Sequence, residues 1–336
     1  MGDWYTEPLE ELAQEFTGPE WEQTVKIARQ ENEWFTPIQI GQAISALRRE
    51  MLTPARLREW LSGYRKPADF ETRQVGIVMA GNLPLVGFAD LAAVVVAGHR
   101  AVVKPSSKDR ALTRFVIKKL RESGCEIESA EELQPEELDG VIATGGDAAR
   151  AHFARRFSGI PALLRGNRQS VAVLTGRETD GEIKSLADDM FLYWGLGCRS
   201  VTRLFVPRGW DMEAFAEKMS RQAPESHPKY AECYRYARAM AAMGADRWAD
   251  GGFFVLRQVD MHTGPVAPRV AEVLWSEYGS ADETAGWLAR HEGVLQCAAG
   301  AVPESFPRRA ALGRTQFPGW RDYADGVDTM EFLLGL

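Results

Sequence analysis

The chain has 336 residues, 45% of them hydrophobic and 26% charged, with a formal net charge of −7 at neutral pH. That length and balance describe a globular protein large enough for two core-forming domains. The acidic balance argues against a protein built to neutralise nucleic-acid phosphates, which needs a basic face, although Arg155, Arg156, Arg165 and Arg168 are local basic positions able to meet a smaller anion.

The opening MGDWYTEPLEEL is acidic and unlike a secretory signal, and no apolar run approaches the roughly 20 residues of a membrane span. A cytoplasmic location is therefore expected. Met1, Gly2 and Thr6 match the start of a myristoylation motif, a signal too short to carry weight alone. Residues 8–62 are rich in Glu, Gln, Leu and Arg at helical spacing and predict a helical N-terminal region.

From Gln74 the texture changes. Strand-like QVGIVMA, RAVVKPSS and GVIATGG alternate with helix-like FADLAAVVVAG, RALTRFVIKKLRESG and DAARAHFARRF, the signature of a parallel sheet with crossover helices. A second α/β section starts near Ser170 with SVAVLTG. It continues through a helix to Trp194, the strand SVTRLFVP, helices to about Met243, and strand-like GGFFVLRQV and PRVAEVLW. The ending YADGVDTMEFLLGL is apolar enough to dock. The expected division is residues 1–170 as helical region and cofactor domain, 171–315 as catalytic domain and 316–336 as a docking tail.

The four cysteines, Cys125, Cys198, Cys233 and Cys297, are widely spaced, without CxxC pairs or Cys/His clusters. Neither a disulfide framework nor a metal site is indicated. HExxH, P-loop and GxSxG sequences are absent as well. His99, His152, His227, His262 and His291 show no triad spacing to a cysteine.

Three stretches are able to carry chemistry. Asn82 follows a predicted strand and Lys104 ends the next one, and the carboxyl ends of parallel strands converge on the usual ligand crevice. Asn82 is either an oxyanion donor or a turn residue; Lys104, Ser106 and Ser107 are either donors to a ribose or phosphate or solvated surface groups. Thr144, Gly145 and Gly146 lie between a strand and a helix, where backbone amides bind a pyrophosphate, though glycines also close ordinary turns. Cys198, in LYWGLGCRS, sits between a helix and a strand. It is either a small buried hydrophobe or a nucleophile whose pKa, ordinarily about 8.5, is lowered by Arg199 or helix-end amides.

Together and in this order, the three stretches resemble the aldehyde dehydrogenase superfamily, and within it the acyl-CoA reductase branch, which includes the fatty-acid reductase that supplies aldehyde in bacterial bioluminescence. The resemblance covers roughly Gln74 to Val206, with a looser echo in GPVAP at 264–268 and in the tail. It implies an α/β fold with a Rossmann-like cofactor domain and an α/β catalytic domain. It also implies that Cys198 is the nucleophile, that Asn82 holds the oxyanion, that Lys104 and Ser106 meet the adenosine ribose, and that Thr144, Gly145 and Gly146 meet the cofactor diphosphate.

Departures from the family pattern refine the expectation. The glutamate that activates water in hydrolytic members is replaced by Leu164, so an acyl-enzyme should survive for reduction or thiol exchange. Ser107 replaces a ribose-binding glutamate that would repel a 2′-phosphate, which favours NADPH while leaving NADH open. Met261 stands where a nicotinamide-ribose glutamate is usual, with His262 and Glu272 as substitutes. The expected reaction is NAD(P)H-dependent reduction of an acyl thioester to an aldehyde, the donor being acyl-CoA, an acyl carrier protein or a partner acyl-transferase or synthetase. The alternatives are a non-acylating aldehyde dehydrogenase and a silent scaffold homologue. A homo-oligomer is left open.

Overall fold

Thr-Pro pairs set the starts of two of the four helices that open the chain: α1 (Glu7–Glu15), α2 (Gly18–Glu31), α3 (Pro37–Glu50) and α4 (Pro54–Leu61). Thr36 accepts from the Gln39 amide at 3.2 Å and Thr53 from the Arg56 amide at 3.3 Å. Pro37 and Pro54 follow, at a helix position where a missing N–H costs nothing. The computed structural model describes residues 4–336; Met1 and Gly2 of the myristoylation-like start lie outside them.

A strand-helix alternation follows: β1 (Gln74–Val78), α5 (Phe88–Ala97), β2 (Arg100–Lys104), α6 (Arg110–Glu122), β3 (Ile127–Ser129), β4 (Gly140–Thr144), α7 (Asp147–Arg156) and β5 (Ala162–Arg165). The five strands form a wholly parallel sheet in the order β3-β2-β1-β4-β5. Alternate strand residues face opposite layers. Val75, Ile77, Ala101, Val103 and Ile142 join the core shared with α5 and the opening helices, while Val102, Val141 and Ala143 pack with Leu133, Leu138 and Phe157. Helix α5 is apolar on nearly every side and buried almost throughout; its buried Asp90 is neutralised by Arg165.

The second alternation comprises β6 (Gln169–Val173), α8 (Asp180–Phe191), β7 (Val201–Pro207), α9 (Met212–Ser220), α10 (Pro228–Met243), β8 (Trp248–Asp250), β9 (Val255–Gln258), β10 (Glu272–Tyr278), α11 (Ala281–His291), β11 (Leu295–Gly300) and β12 (Arg309–Ala310). Its sheet runs β12-β11-β6-β7-β10-β9-β8 and is parallel except for the β8–β9 pair. One face packs Ala172, Leu204, Val206, Leu256 and Trp275; the other packs Val171, Val173, Phe205 and Ala298 against Trp287 and Leu288 of α11.

The predicted helix to Trp194 stops at Phe191, because Tyr193 (φ 56°) and Trp194 (φ 61°) adopt left-handed conformations incompatible with its continuation. The predicted strand GGFFVLRQV begins only at Val255, since Gly251 and Gly252 turn the chain back from β8. In PRVAEVLW the strand begins at Glu272, just after Ala271 takes a positive φ of 64°.

The contacts divide the chain into two units, one of residues up to Asn167 together with Pro318–Leu336, the other Arg168–Phe317. Within the first, helix α12 (Thr329–Leu334) packs on α5, and Trp320 stacks on Trp60 at 4.1 Å and donates to the Met51 carbonyl at 2.9 Å. Tyr323 takes the Trp60 indole N–H at 2.7 Å, and His99 bonds the Leu333 carbonyl at 3.0 Å. Among the described residues no helix is long and apolar enough to cross a membrane.

Candidate active site

In the first sheet the strand order reverses at β1 and β4, and ligands of open parallel sheets bind beyond the carboxyl ends of the strands at such a point. Val78 lies opposite both Lys104 and Ala143. The segments leading to Asn82, Ser107 and Gly146 therefore leave the sheet from the same edge.

The Asn82 loop is held from both sides. The buried Asn32 amide donates to the Gly81 carbonyl at 3.2 Å, and Asp109 accepts the Leu85 N–H at 2.7 Å, fixing Leu85 at a positive φ of 54°. A Cβ on Gly81 would fall 2.4 Å from Ser106 Oγ, so only glycine fits against that side chain. Asn82 is exposed at the crest of this loop.

Lys104 and Ser106 are half-buried and Ser107 is exposed. The Ser106 hydroxyl is engaged locally, accepting from the Lys108 amide at 3.3 Å. At the other turn a Cβ on Gly145 would lie 2.8 Å from that of Ala149, whereas Gly146 has ordinary room. Asp147, the first residue of α7, accepts from the Asn167 amide at 3.0 Å and from its side chain at 3.1 Å.

The basic positions are less available than the sequence implied. Arg165 is buried, bonding Asp90 and, at 2.8 Å, the Thr329 hydroxyl. Arg156 donates to the Leu133 carbonyl at 2.7 Å, and Arg168 donates to the Gly293 carbonyl. Leu164 is half-buried on β5 with Val78 and Phe153 in the apolar layer.

Cys198 belongs to the second unit. After α8, whose start is fixed by a capping box of Thr179 and Glu182, Tyr193, Trp194 and Gly195 run left-handed in succession. Then comes a tight turn in which the Ser200 amide donates to the Gly197 carbonyl at 3.0 Å and the Gly197 amide to Ser200 Oγ at 3.2 Å. Cys198 is half-buried, and all four cysteines are thiols. Its carbonyl accepts from Ser170 Oγ at 2.8 Å, and Ser170 Oγ lies 3.1 Å from the Cys297 sulfur.

Behind the turn, Gln316 donates to Ser200 Oγ and to the Asp189 carbonyl, both at 3.1 Å. The Asp189 carboxylate accepts from the Gly313 amide at 2.6 Å, the Thr315 amide at 2.9 Å and the Thr315 hydroxyl at 2.7 Å. Burial pushes the Asp189 pKa up, and these hydrogen bonds oppose the shift. Ser170, Asp189, Ser200 and Gln316 were not singled out in the sequence. Only Ser200 carried a local signal, a hydroxyl three residues after a glycine.

The Asp260–Gly264 loop is clipped by buried Arg203. Its guanidinium donates to the carbonyls of Asp260, Thr263 and Gly264 at 3.0, 2.8 and 3.2 Å and to Ser276. Burial pulls its pKa down to about 10, leaving it charged at neutral pH. Glu272, offered above as a substitute ribose ligand, is buried and bonded to Arg257 at 2.5 Å and to Arg269 at 3.3 Å. His262 is exposed on the loop. Among the described residues no three His, Cys, Asp or Glu side chains gather as metal ligands.

The family model for acyl-CoA reductase (LuxC) matches residues 20–249. The chain belongs to the LuxC acyl-CoA reductase family. This LuxC-family chain is 24% identical over 265 residues to N-succinylglutamate 5-semialdehyde dehydrogenase of Vibrio cholerae, an alignment covering 69% of this chain and 54% of that protein. It thus spans about half the length of the curated relatives it matches. Among solved structures it resembles a gamma-glutamyl-gamma-aminobutyraldehyde dehydrogenase from Burkholderia cenocepacia, with TM-score 0.67 and 16% identity over 91% of this chain and 74% of that one. It also resembles an NAD-dependent benzaldehyde dehydrogenase from Corynebacterium glutamicum, with TM-score 0.64 and 14% identity over 89% and 76% of the two chains. The LuxC-family chain therefore has the aldehyde dehydrogenase fold.

Proposed function

We propose that the protein reduces an acyl thioester to an aldehyde through an acyl-enzyme on Cys198. The observation that carries this reading is the Cys198 turn, a half-buried thiol on backbone pinned at the carbonyls of Gly197 and Cys198. The thiolate attacks the thioester carbonyl carbon. A carbon–sulfur bond forms, and the carbonyl electron pair moves onto oxygen, where the Cys198 amide stabilises it. Collapse expels the carrier thiolate, which takes up a proton, and leaves the acyl group on Cys198. Asn82 is assigned to the same oxygen on the family pattern.

Two observations favour reduction over hydrolysis. Leu164 brings no carboxylate to its position. Asp189, the carboxylate wired to the Cys198 turn, is fully buried and has both oxygens occupied, so it is unsuited to activating water.

A nicotinamide cofactor fits the first unit's sheet edge. Gly145 closes a turn with no room for a Cβ, Gly146 leads into α7, and Lys104 and exposed Ser107 stand at the end of the adjacent strand. Lys104, Ser106, Ser107, Thr144, Gly145 and Gly146 would hold it, and Ser107 with neighbouring Lys108 favours a 2′-phosphate, hence NADPH. When bound, the reduced cofactor supplies hydride to the acyl carbon. Overall, thioester, NAD(P)H and a proton give aldehyde, free thiol and NAD(P)+. The donor is acyl-CoA or an acyl carrier.

Incubation with a panel of acyl-CoA thioesters without cofactor should add one acyl mass to the protein and none to Cys198→Ala, read by intact-mass spectrometry. No adduct with any thioester would sink the acyl-CoA form of the reading. A second reading, oxidation of an aldehyde to an acid, draws on the 24% identity to the semialdehyde dehydrogenase. It requires rapid release of free acid from the acylated protein.

A further inference from the structure

We infer that Ser170 and Ser200 are positioning residues that aim the Cys198 amide at the oxyanion of acyl transfer; this rests on the acyl-enzyme reading above. The peptide between Gly197 and Cys198 carries the Gly197 carbonyl at one end and the Cys198 N–H at the other. In a planar trans peptide these groups point in opposite directions. The Gly197 carbonyl is turned inward by the Ser200 amide at 3.0 Å, so the Cys198 N–H is directed out of the turn. The next peptide is pinned separately, its carbonyl held by Ser170 Oγ at 2.8 Å from strand β6.

Ser200 contributes a second restraint, its hydroxyl accepting the Gly197 amide at 3.2 Å while Gln316 donates to the same oxygen at 3.1 Å. Ser170 and Ser200 are both 0% exposed, so water does not compete for these bonds. The preceding left-handed run of Tyr193, Trp194 and Gly195 gives the turn a further reason to be held, because side chains clash with the backbone in that conformation at every residue but glycine. Loss of either hydroxyl frees a peptide that flanks the Gly197–Cys198 one, on the Gly197 amide side for Ser200 and the Cys198 carbonyl side for Ser170. The backbone bond from the Ser200 amide remains, but with a flank released the Cys198 N–H tilts away from the developing charge.

Acyl transfer develops an oxyanion and alkylation by iodoacetamide does not, so the two reactions separate aim from thiol reactivity. Wild type, Ser170→Ala, Ser200→Ala and the double variant are treated with p-nitrophenyl acetate, and acetylation of Cys198 is timed by intact mass. The same proteins are then timed with iodoacetamide. Each single variant should acetylate about tenfold more slowly, below the hundredfold or more for outright loss of an oxyanion donor, while alkylation stays within about twofold of wild type.

Unchanged acetylation overturns the inference. So does a parallel fall in both rates, which marks a general loss of thiol reactivity. Gln316→Met, which removes the amide that orients Ser200, reads the same link should an alanine variant fail to fold, and it should slow acetylation selectively. A wild type acetylated at Cys198 by the ester but by no acyl-CoA overturns the thioester reading and leaves this test standing. A wild type acetylated by neither overturns both.

Discussion

Asp109 is almost wholly withdrawn from water, with one oxygen on the Leu85 amide and the other without a partner. Burial drives its pKa well above the ordinary value; the Leu85 bond opposes the shift and Glu31 adds to it. A carboxyl with a raised folded pKa contributes stability below the unfolded value, near 3.9, and loses it as pH rises through the folded value. Urea unfolding should therefore show stability falling as pH rises above about 4 more steeply in wild type than in Asp109→Asn; equal slopes would refute the burial argument. At Gly81 the limit is steric. Gly81→Ala should cost about 1–3 kcal/mol, and Ser106→Gly in the same chain should recover most of it, since a Cβ at 81 meets Ser106 Oγ and Cβ at 2.4 and 2.5 Å. The strand-end position of Lys104 and the loop positions of Asn82 and Cys198 were legible because a glycine or proline punctuates the chain beside each. The groups that hold them were not, because Asn32 and Asp109 reach the Asn82 loop, and Gln316 the Cys198 turn, from distant sequence.

In the first sheet β1, β2, β4 and the helices between were readable because β-branched runs alternate with apolar or amphipathic helices, whereas β3 and β5, three and four residues long, were missed. In the second sheet β8, β11 and β12 were missed, two of them only three and two residues long, and α11 went unread beside them. The end of α8 was unreadable for another reason, since two aromatic residues occupy backbone conformations that sequence assigns to glycine. Helix α12 and its approach depend on His99. Its Nδ1 accepts the Arg73 amide at 3.1 Å, so Nε2 carries the proton given to the Leu333 carbonyl. Burial, the largest influence, lowers its pKa. The folded state thus disfavours the protonated ring, and this contribution to stability is complete above the unfolded value near 6.5 and declines as pH falls below it. The loss of urea stability on acidification through that range should be smaller in His99→Gln, and an unaltered profile would argue against the latch. Trp320→Ala, removing the stack on Trp60 and the bond to Met51, should cost about 3–5 kcal/mol in thermal or urea unfolding.

At the scale of the whole chain, two mostly parallel sheets follow one another, and the aldehyde dehydrogenase fold accounts for that order. The division into units was only partly visible, because no Pro- or Ser-rich linker marks Asn167 and because the first unit is closed by Pro318–Leu336, far away in sequence. That return of the chain sets an order of assembly during synthesis. The strands and helices up to Asn167 leave the ribosome first, yet Trp60, His99 and Arg165 still lack Trp320, Leu333 and Thr329. At about 5–20 residues per second, translation of the remainder takes roughly 10–30 s. The middle stretch, Arg168–Phe317, is continuous and has every strand of its sheet before the final segment emerges. The first unit is thus completed only after Arg168–Phe317 has been made, and in the interval the apolar surface that Trp320 and Leu333 will cover stays open to water.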